Sequence, residues 1–193
     1  MEIKDLFKSI LAIETLDIDN TALEKFCKDR INESFIYKDF NQTQSQLLDL
    51  NDPVLAVLKK AVEEKVNEFH AFVGLNNRYR QKITECWANV NNPRYVSVPH
   101  EHAESVFSCV YYVKGGEDSG NIVFVNPNSS QPRTILSKHI QHFNPLTSNT
   151  FYQTPSPGKL LIFPSWVYHY VHANDTDEER ISIAFNTVFE EIL

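Results

Sequence analysis

The sequence predicts a mainly β fold with helices in front of it, an α+β chain whose strands close into a sandwich or barrel-like jelly roll. Three observations predict it. The apolar residues of roughly the first 78 positions recur with helical spacing, those from about Tyr79 onward fall into short β-rich runs, and Pro, Gly, Asn and Ser separate the runs. A chain of 193 residues suits one domain, 1–193, in which residues 1–78 form a helical support and 79–193 the β core.

The best-marked helix opens at NDPVLAVLKKAVEEKVNEFHAF, where Asp52 suits the N-cap and Pro53 the first helical position. Leu55, Leu58, Val62, Val66 and Phe69 then recur at three- and four-residue steps, which gives one apolar stripe to lay on a sheet. A shorter helix is expected over 21–31. The runs ITECWANV, RYVSVPHEH, VFSCVYYV, NIVFV, TILSK, KLLIFP, WVYHYV and RISIAFNTVF read as strands, and KGGEDSGN reads as a turn between two of them. Residues 126–157 hold five of the nine prolines and read as long loops around one or two strands, a lid over a pocket.

Composition narrows the function. A net charge of -7 removes the basic footprint that a general nucleic-acid binder needs to displace counterions from phosphates. Three cysteines without a C-x-x-C spacing indicate neither a disulfide framework nor a structural zinc site, and they suit a reducing cytoplasm. The N-terminal stretch lacks the basic lead and cleavage site of a secretory signal, and no run approaches the ~20 apolar residues of a membrane helix. The expectation is a soluble, unprocessed protein acting on a small molecule or a peptide.

The chemistry lies in the histidines and one arginine. On a strand, side chains two apart share a face, so His100 and His102 in VPHEHAES can present two imidazoles to one metal. FPSWVYHYVH offers His169 or His172 as a distant third ligand; His169 is favoured because His172 falls on the opposite strand face. Two neighbours plus a distant ligand leave coordination positions open, as a non-haem iron needs when it must bind both a cosubstrate and oxygen. The competing pair is His102 with Glu104, and a lone H-x-H also arises on soluble surfaces. Further on, Arg180, Ser182, Ala184 and Asn186 share one strand face while Ile181, Ile183 and Phe185 share the other. An arginine beside a serine hydroxyl can clamp a carboxylate through charge-assisted bonds, unless it merely pairs with the acidic residues of its own DEER turn.

Taken in order, the His-x-His pair, VYYV before a glycine-bearing turn, GKLLIFPSWVYH and RISIAF resemble the 2-oxoglutarate/Fe(II) oxygenase superfamily. Within it they look most like the small, often phage or marine bacterial, oxygenases related to prolyl hydroxylases, over about residues 86–186. The resemblance implies a cupin-like double-stranded β-helix that uses Fe(II), 2-oxoglutarate and O2. It implies His100, His102 and His169 as metal ligands, with Arg180, Ser182 and Tyr112 on the 5-carboxylate of 2-oxoglutarate and Trp87 and Asn89 lining the pocket. The implied activity is oxidative decarboxylation of 2-oxoglutarate coupled to hydroxylation of a substrate such as a prolyl or other peptide residue, in the host cytoplasm if the chain is phage-encoded. His102 departs from the pattern, since most of the superfamily carries Asp or Glu there. That departure leaves two rivals, a three-histidine cupin-type dioxygenase without 2-oxoglutarate and a non-enzymatic jelly-roll binding module.

Overall fold

The computed structural model describes residues 1–4, 8–31, 35–37, 42–48, 51–128 and 137–192. Within them the chain runs through β1 (Ala12–Thr15), α1 (Asn20–Ile31), β2 (Phe35–Tyr37), β3 (Gln42–Gln46), α2 (Pro53–Phe72) and β4 (Tyr79–Asn91). It continues through β5 (Ser97–His100), β6 (Phe107–Lys114), β7 (Ile122–Val125), β8 (Thr150–Gln153), β9 (Lys159–Pro164), β10 (His169–Val171) and β11 (Arg180–Glu191). The strands form two antiparallel sheets, a major one ordered β1-β9-β6-β11-β4-β3-β2 and a minor one ordered β5-β10-β7-β8. Facing each other, they make the double-stranded β-helix expected from the sequence.

Alternation along the three central strands decides what each sheet face does. Cys86, Ala88 and Val90 of β4, Cys109, Tyr111 and Val113 of β6, and Ile181, Ile183 and Phe185 of β11 all join one buried core. Leu55, Leu58, Val62, Val66 and Phe69 of α2 belong to the same core, so the apolar stripe of the helix covers the outer face of the major sheet. The helix starts where its cap allows: Asp52 accepts from the Val54 and Leu55 amides at 2.9 and 3.4 Å, and Pro53 needs no partner for an N–H it lacks. The residues between those core positions, Trp87, Asn89 and Asn91, Val110 and Tyr112, and Arg180, Ser182 and Ala184, line the space between the sheets. A smaller cluster of Ile122, Phe124, Leu161, Phe163 and Val167 packs around Tyr112 on that inner side. No helix among the described residues is long and apolar enough to cross a membrane.

The N-terminal third differs from its expected all-helical character. Besides α1 and α2 it contributes β1, paired with β9, and the β2–β3 hairpin, paired with β4. The sequence of β3, QTQSQ, shows no apolar alternation because it is recruited by the backbone of a neighbouring strand. RYVSVPHEH yields only β5, so His102 stands beyond the strand end and does not share a strand face with His100. Of the expected TILSK strand, residues 134–136 lie outside the described residues and Ser137–His139 form a 3-10 turn. Residues 129–136 of the expected lid likewise lie outside them, while β8 pairs with β7 at the edge of the minor sheet.

Leu58 is fully buried between α2 and the sheet. Leu58→Ala should lower unfolding stability by about 2–5 kcal/mol through the lost burial and the cavity left behind, as read from urea denaturation.

Candidate functional site

Antiparallel pairing of β5 with β10 sets His100 directly opposite His169. Directly opposed residues share a face, so both imidazoles enter the space between the sheets, with ring centroids 4.4 Å apart. His102 is brought to them by the chain just after β5, where its amide donates to the Ser165 carbonyl at 3.0 Å. Its ring centroid lies 5.2 Å from each of the other two, and one ligand atom from each histidine falls within 4.8 Å of the others. Three imidazoles so placed can bind one metal ion.

Hydrogen bonds prepare two of these rings for coordination. His100 Nδ1 is 2.8 Å from the Val98 carbonyl and His169 Nδ1 is 2.9 Å from the Val167 carbonyl. A carbonyl only accepts, so Nδ1 carries the proton in both and Nε2 keeps its lone pair for a metal. Burial holds His169 down to about 3 and His102 down to about 4, with the neighbouring imidazoles adding to the effect and the Glu85 carboxylate opposing it at His102. Near neutral pH both rings are uncharged, the form that ligates.

His102 is held differently. Asn186 Nδ2 lies 3.4 Å from His102 Nδ1 and donates to Glu85 Oε2 at 2.5 Å, while Asn186 Oδ1 accepts from the Ser108 hydroxyl at 2.8 Å. The Glu85 carboxylate requires the amide nitrogen to face it, and that same nitrogen then presents an N–H to His102. His102 rests with Nδ1 as acceptor and Nε2 protonated, the reverse of its two neighbours, so it must reset this bond to ligate through Nε2. Glu104 is exposed in a left-handed turn with φ of 66° and is not part of the cluster, and His172 is exposed against Tyr170.

The histidines open into a cavity of about 330 Å³ that Arg180, Ser182 and Tyr112 also line, together with Trp87 and Asn89. Arg180 is only 2% exposed. Its Nη1 donates to the Ser119 and Gly120 carbonyls at 3.1 and 2.8 Å, its Nη2 donates to Asn91 Oδ1 at 2.7 Å, and the Tyr95 ring lies 5.7 Å from its Cζ. These bonds use three of the five guanidinium donors, and Nε has no partner. The two glutamates of the DEER turn are engaged elsewhere, Glu178 with Lys114 at 2.7 Å and Glu179 with Lys28 at 3.3 Å, and Asp177 forms no ion pair with Arg180. Among the described residues no carboxylate neutralises Arg180. Burying an unpaired charge costs several kcal/mol, so the cavity is built to receive an anion.

Tyr112 and Ser182 stand opposite each other in the β6–β11 register. Burial pushes the Tyr112 phenol up to about 12, with Arg180 acting the other way, so it remains a neutral donor. Arg180, Ser182 and Tyr112 together suit a carboxylate, and the three imidazoles suit a divalent metal; the residues present therefore fit iron and 2-oxoglutarate. Sequence reasoning missed Asn91, Tyr95 and the Ser119–Gly120 carbonyls. Asn91 was within reach, since it continues the Trp87, Asn89 alternation, whereas the carbonyls belong to the KGGEDSGN turn and leave no side-chain signal.

A double-stranded β-helix with clustered imidazoles and an unneutralised arginine in one cavity suits a non-haem metal oxygenase. The chain belongs to the 2OG-Fe(II) oxygenase family: residues 85–186, just over half of it, match the family model described as "Putative 2OG-Fe(II) oxygenase". It is a 2-oxoglutarate-dependent oxygenase that uses iron, 2-oxoglutarate and O2, which sets aside the binding-module and cosubstrate-free rivals. Among curated proteins no sequence relative matches. Solved structures do. A prolyl-4-hydroxylase of Pseudomonas putida aligns at 16% identity over 96% of this chain and 94% of its own, with a TM-score of 0.62. The non-heme alpha ketoglutarate dependent epimerase SnoN of nogalamycin biosynthesis aligns at 12% identity over 93% of this chain and 78% of its own, with a TM-score of 0.68, and has also been crystallised with Fe3+ and alpha ketoglutarate. The viral collagen prolyl hydroxylase of Paramecium Bursaria Chlorella virus-1, a 2OG complex, aligns at 10% identity over 92% and 94%, with a TM-score of 0.58. At these identities the likeness is one of fold.

Gly120 adopts a φ of 94°, and a Cβ there would sit 2.4 Å from the His172 carbonyl oxygen and 2.7 Å from Arg180 Nη1. Gly120→Ala should therefore displace Arg180 and weaken 2-oxoglutarate binding by about tenfold or more, roughly 1.4 kcal/mol, while Ni(II) uptake is retained; calorimetry on the Ni(II)-loaded protein measures both.

Proposed function

We propose that His100, His102 and His169 hold the iron, that Arg180, Ser182 and Tyr112 hold the far carboxylate of 2-oxoglutarate, and that the enzyme hydroxylates an uncharged substrate group. A prolyl or other neutral peptide residue is the substrate class we favour. The observation that carries the assignment is the buried Arg180, with no carboxylate partner among the described residues, lining the same cavity as the three imidazoles. When bound, iron and 2-oxoglutarate would let O2 act as the oxidant, one of its oxygen atoms ending in succinate as 2-oxoglutarate loses CO2 and the other being inserted into a substrate C–H bond.

The chain's own contribution is placement and exclusion of water. Val98 and Val167 carbonyls orient His100 and His169, the Ser119–Gly120 turn orients Arg180, and Tyr112 stays protonated to donate. Among the described residues of the cavity wall Arg180 is the only Lys, Arg, Asp or Glu, and Trp87, Val96, Val98, Val110, Ile122 and Val171 supply much of the rest. With Arg180 committed to the cosubstrate, no other Lys, Arg, Asp or Glu among the described residues of that wall would compensate a charge on the substrate, which supports a neutral reacting group. The two helices share the outer core of the major sheet, in support of one catalytic unit, and Cys27, Cys86 and Cys109 are all buried free thiols, in support of a cytoplasmic location.

Purified protein supplied with Fe(II) and O2 should convert 2-oxoglutarate to succinate, and peptides carrying the true substrate residue should gain one oxygen and speed that conversion. The His100→Ala/His169→Ala variant should lose stoichiometric metal. Arg180→Ala should raise the 2-oxoglutarate KM on the order of 100-fold while keeping its metal. Absence of any metal-dependent succinate release would overturn the assignment.

A further inference from the structure

His100 and His169 are oriented by backbone carbonyls, whereas the ring of His102, standing beyond the end of β5, is oriented by Asn186. Asn186 is 2% exposed and lies opposite Glu85 on one side and Ser108 on the other, in the β4–β11 and β6–β11 registers. The ladder slips directly after the Asn186–Glu85 pair, with Thr187 opposite Ile83, so Thr84 is the extra residue of a β-bulge. A row of Glu85, Asn186 and Ser108 thus crosses three strands, and His102 meets it at its middle member.

The two ends of the row differ in what they demand of the amide. Ser108 Oγ lies 2.8 Å from Asn186 Oδ1 and 2.9 Å from Ser165 Oγ, and a hydroxyl can donate to one neighbour and accept from the other in either sense. The serines therefore suit the Asn186 amide either way round. Glu85 does not, because its carboxylate only accepts, and Asn186 Nδ2 donates to it at 2.5 Å. That choice aims the same amide nitrogen at His102 Nδ1, 3.4 Å away. Coordination through Nε2 would require the ring proton on Nδ1, where it would face an N–H; coordination through Nδ1 would require that N–H to withdraw. Either way Asn186 must turn over, and its oxygen would then repel the Glu85 carboxylate. Glu85 is exposed, so water can take that carboxylate up.

We propose that Glu85 is a latch acting through Asn186: while it holds the amide it keeps His102 out of coordination, and its release into solvent lets Asn186 turn and His102 complete the three-histidine site. This role rests on the proposed assignment of His102 as a ligand. Glu85 and Asn186 are positioning residues, acting on the metal through His102. The sign of the effect separates the latch from simple electrostatics. A carboxylate near a dication ordinarily favours it, so loss of that charge alone would weaken metal binding, whereas the latch requires the reverse.

Ni(II) affinity of the full chain, measured at fixed pH by competition with a chelator, should rise about tenfold in Glu85→Gln, whose amide suits Asn186 either way round. The gain should disappear in the Asn186→Ala background, where position 85 has nothing to act through. Nitrogen NMR of the metal-free parent should place the His102 proton on Nε2. A proton on Nδ1 there would overturn the proposal without any variant, as would an unchanged or weaker affinity in Glu85→Gln, or a gain that persists in Asn186→Ala. Unchanged Ni(II) affinity in His102→Ala would instead defeat the assignment of His102 as a ligand.

Discussion

Burying a guanidinium without a counter-ion is the constraint on which the rest of this molecule turns. Arg180 sits at the start of β11, the strand paired on both sides, with β4 and with β6. A chain terminus or an exposed loop could not hold an unneutralised charge out of water. A twelve-residue strand in the middle of a seven-stranded sheet can, because its own backbone bonds are complete and its other face is anchored in the main core through Ile181, Ile183 and Phe185. Three neutral oxygens, from Ser119, Gly120 and Asn91, solvate the cation only in part. In the proposed assignment the remaining demand for negative charge would be met by the far carboxylate of 2-oxoglutarate, which would tie core packing to cosubstrate choice through a single strand.

The metal end follows a complementary rule. In the proposed assignment no protein carboxylate touches the iron, so three neutral imidazoles leave the full charge of the dication to be balanced by the incoming keto acid. Both anionic ends of 2-oxoglutarate then meet uncompensated positive charge, iron at one and Arg180 at the other. The nearest acid in the His102 network is Glu85, one side chain removed behind Asn186. That carboxylate tempers the field at His102 without occupying a coordination position. Two imidazoles are already oriented by backbone carbonyls, and only His102 has a hydrogen bond to exchange, so most of the ligand geometry is paid for in folding.

Local patterns made much of this legible in the sequence. The heptad-like stripe of α2, the alternation Arg180, Ser182, Ala184 and the pairing of His169 with an upstream H-x-H motif all depend on spacing within one element or on motif order. What escaped depends on pairing between distant segments. QTQSQ has no strand signature of its own and becomes β3 through the edge of β4. His102 reaches the cluster although β5 ends at His100, because the Ser165 carbonyl holds its amide. Asn91 becomes a cavity residue only once the β4–β11 register sets it opposite Arg180, and the two carbonyls that orient the arginine could belong to any residue type.

The proposed substrate preference rests on how charge is distributed in the same cavity. Among the described residues of its wall Arg180 is the one arginine or lysine, in the proposed assignment the metal would be the other positive charge, and valines, Ile122 and Trp87 make up much of the wall around them. A cationic substrate group would meet the dication and an anionic one would compete with 2-oxoglutarate for Arg180, so both are disfavoured on electrostatic grounds. In the proposed assignment a neutral, largely apolar group would gain by displacing water from that wall without competing with the cosubstrate for Arg180. In that reading specificity beyond neutrality would come from the rim, where Val96, just before β5, and Val98, within it, are exposed.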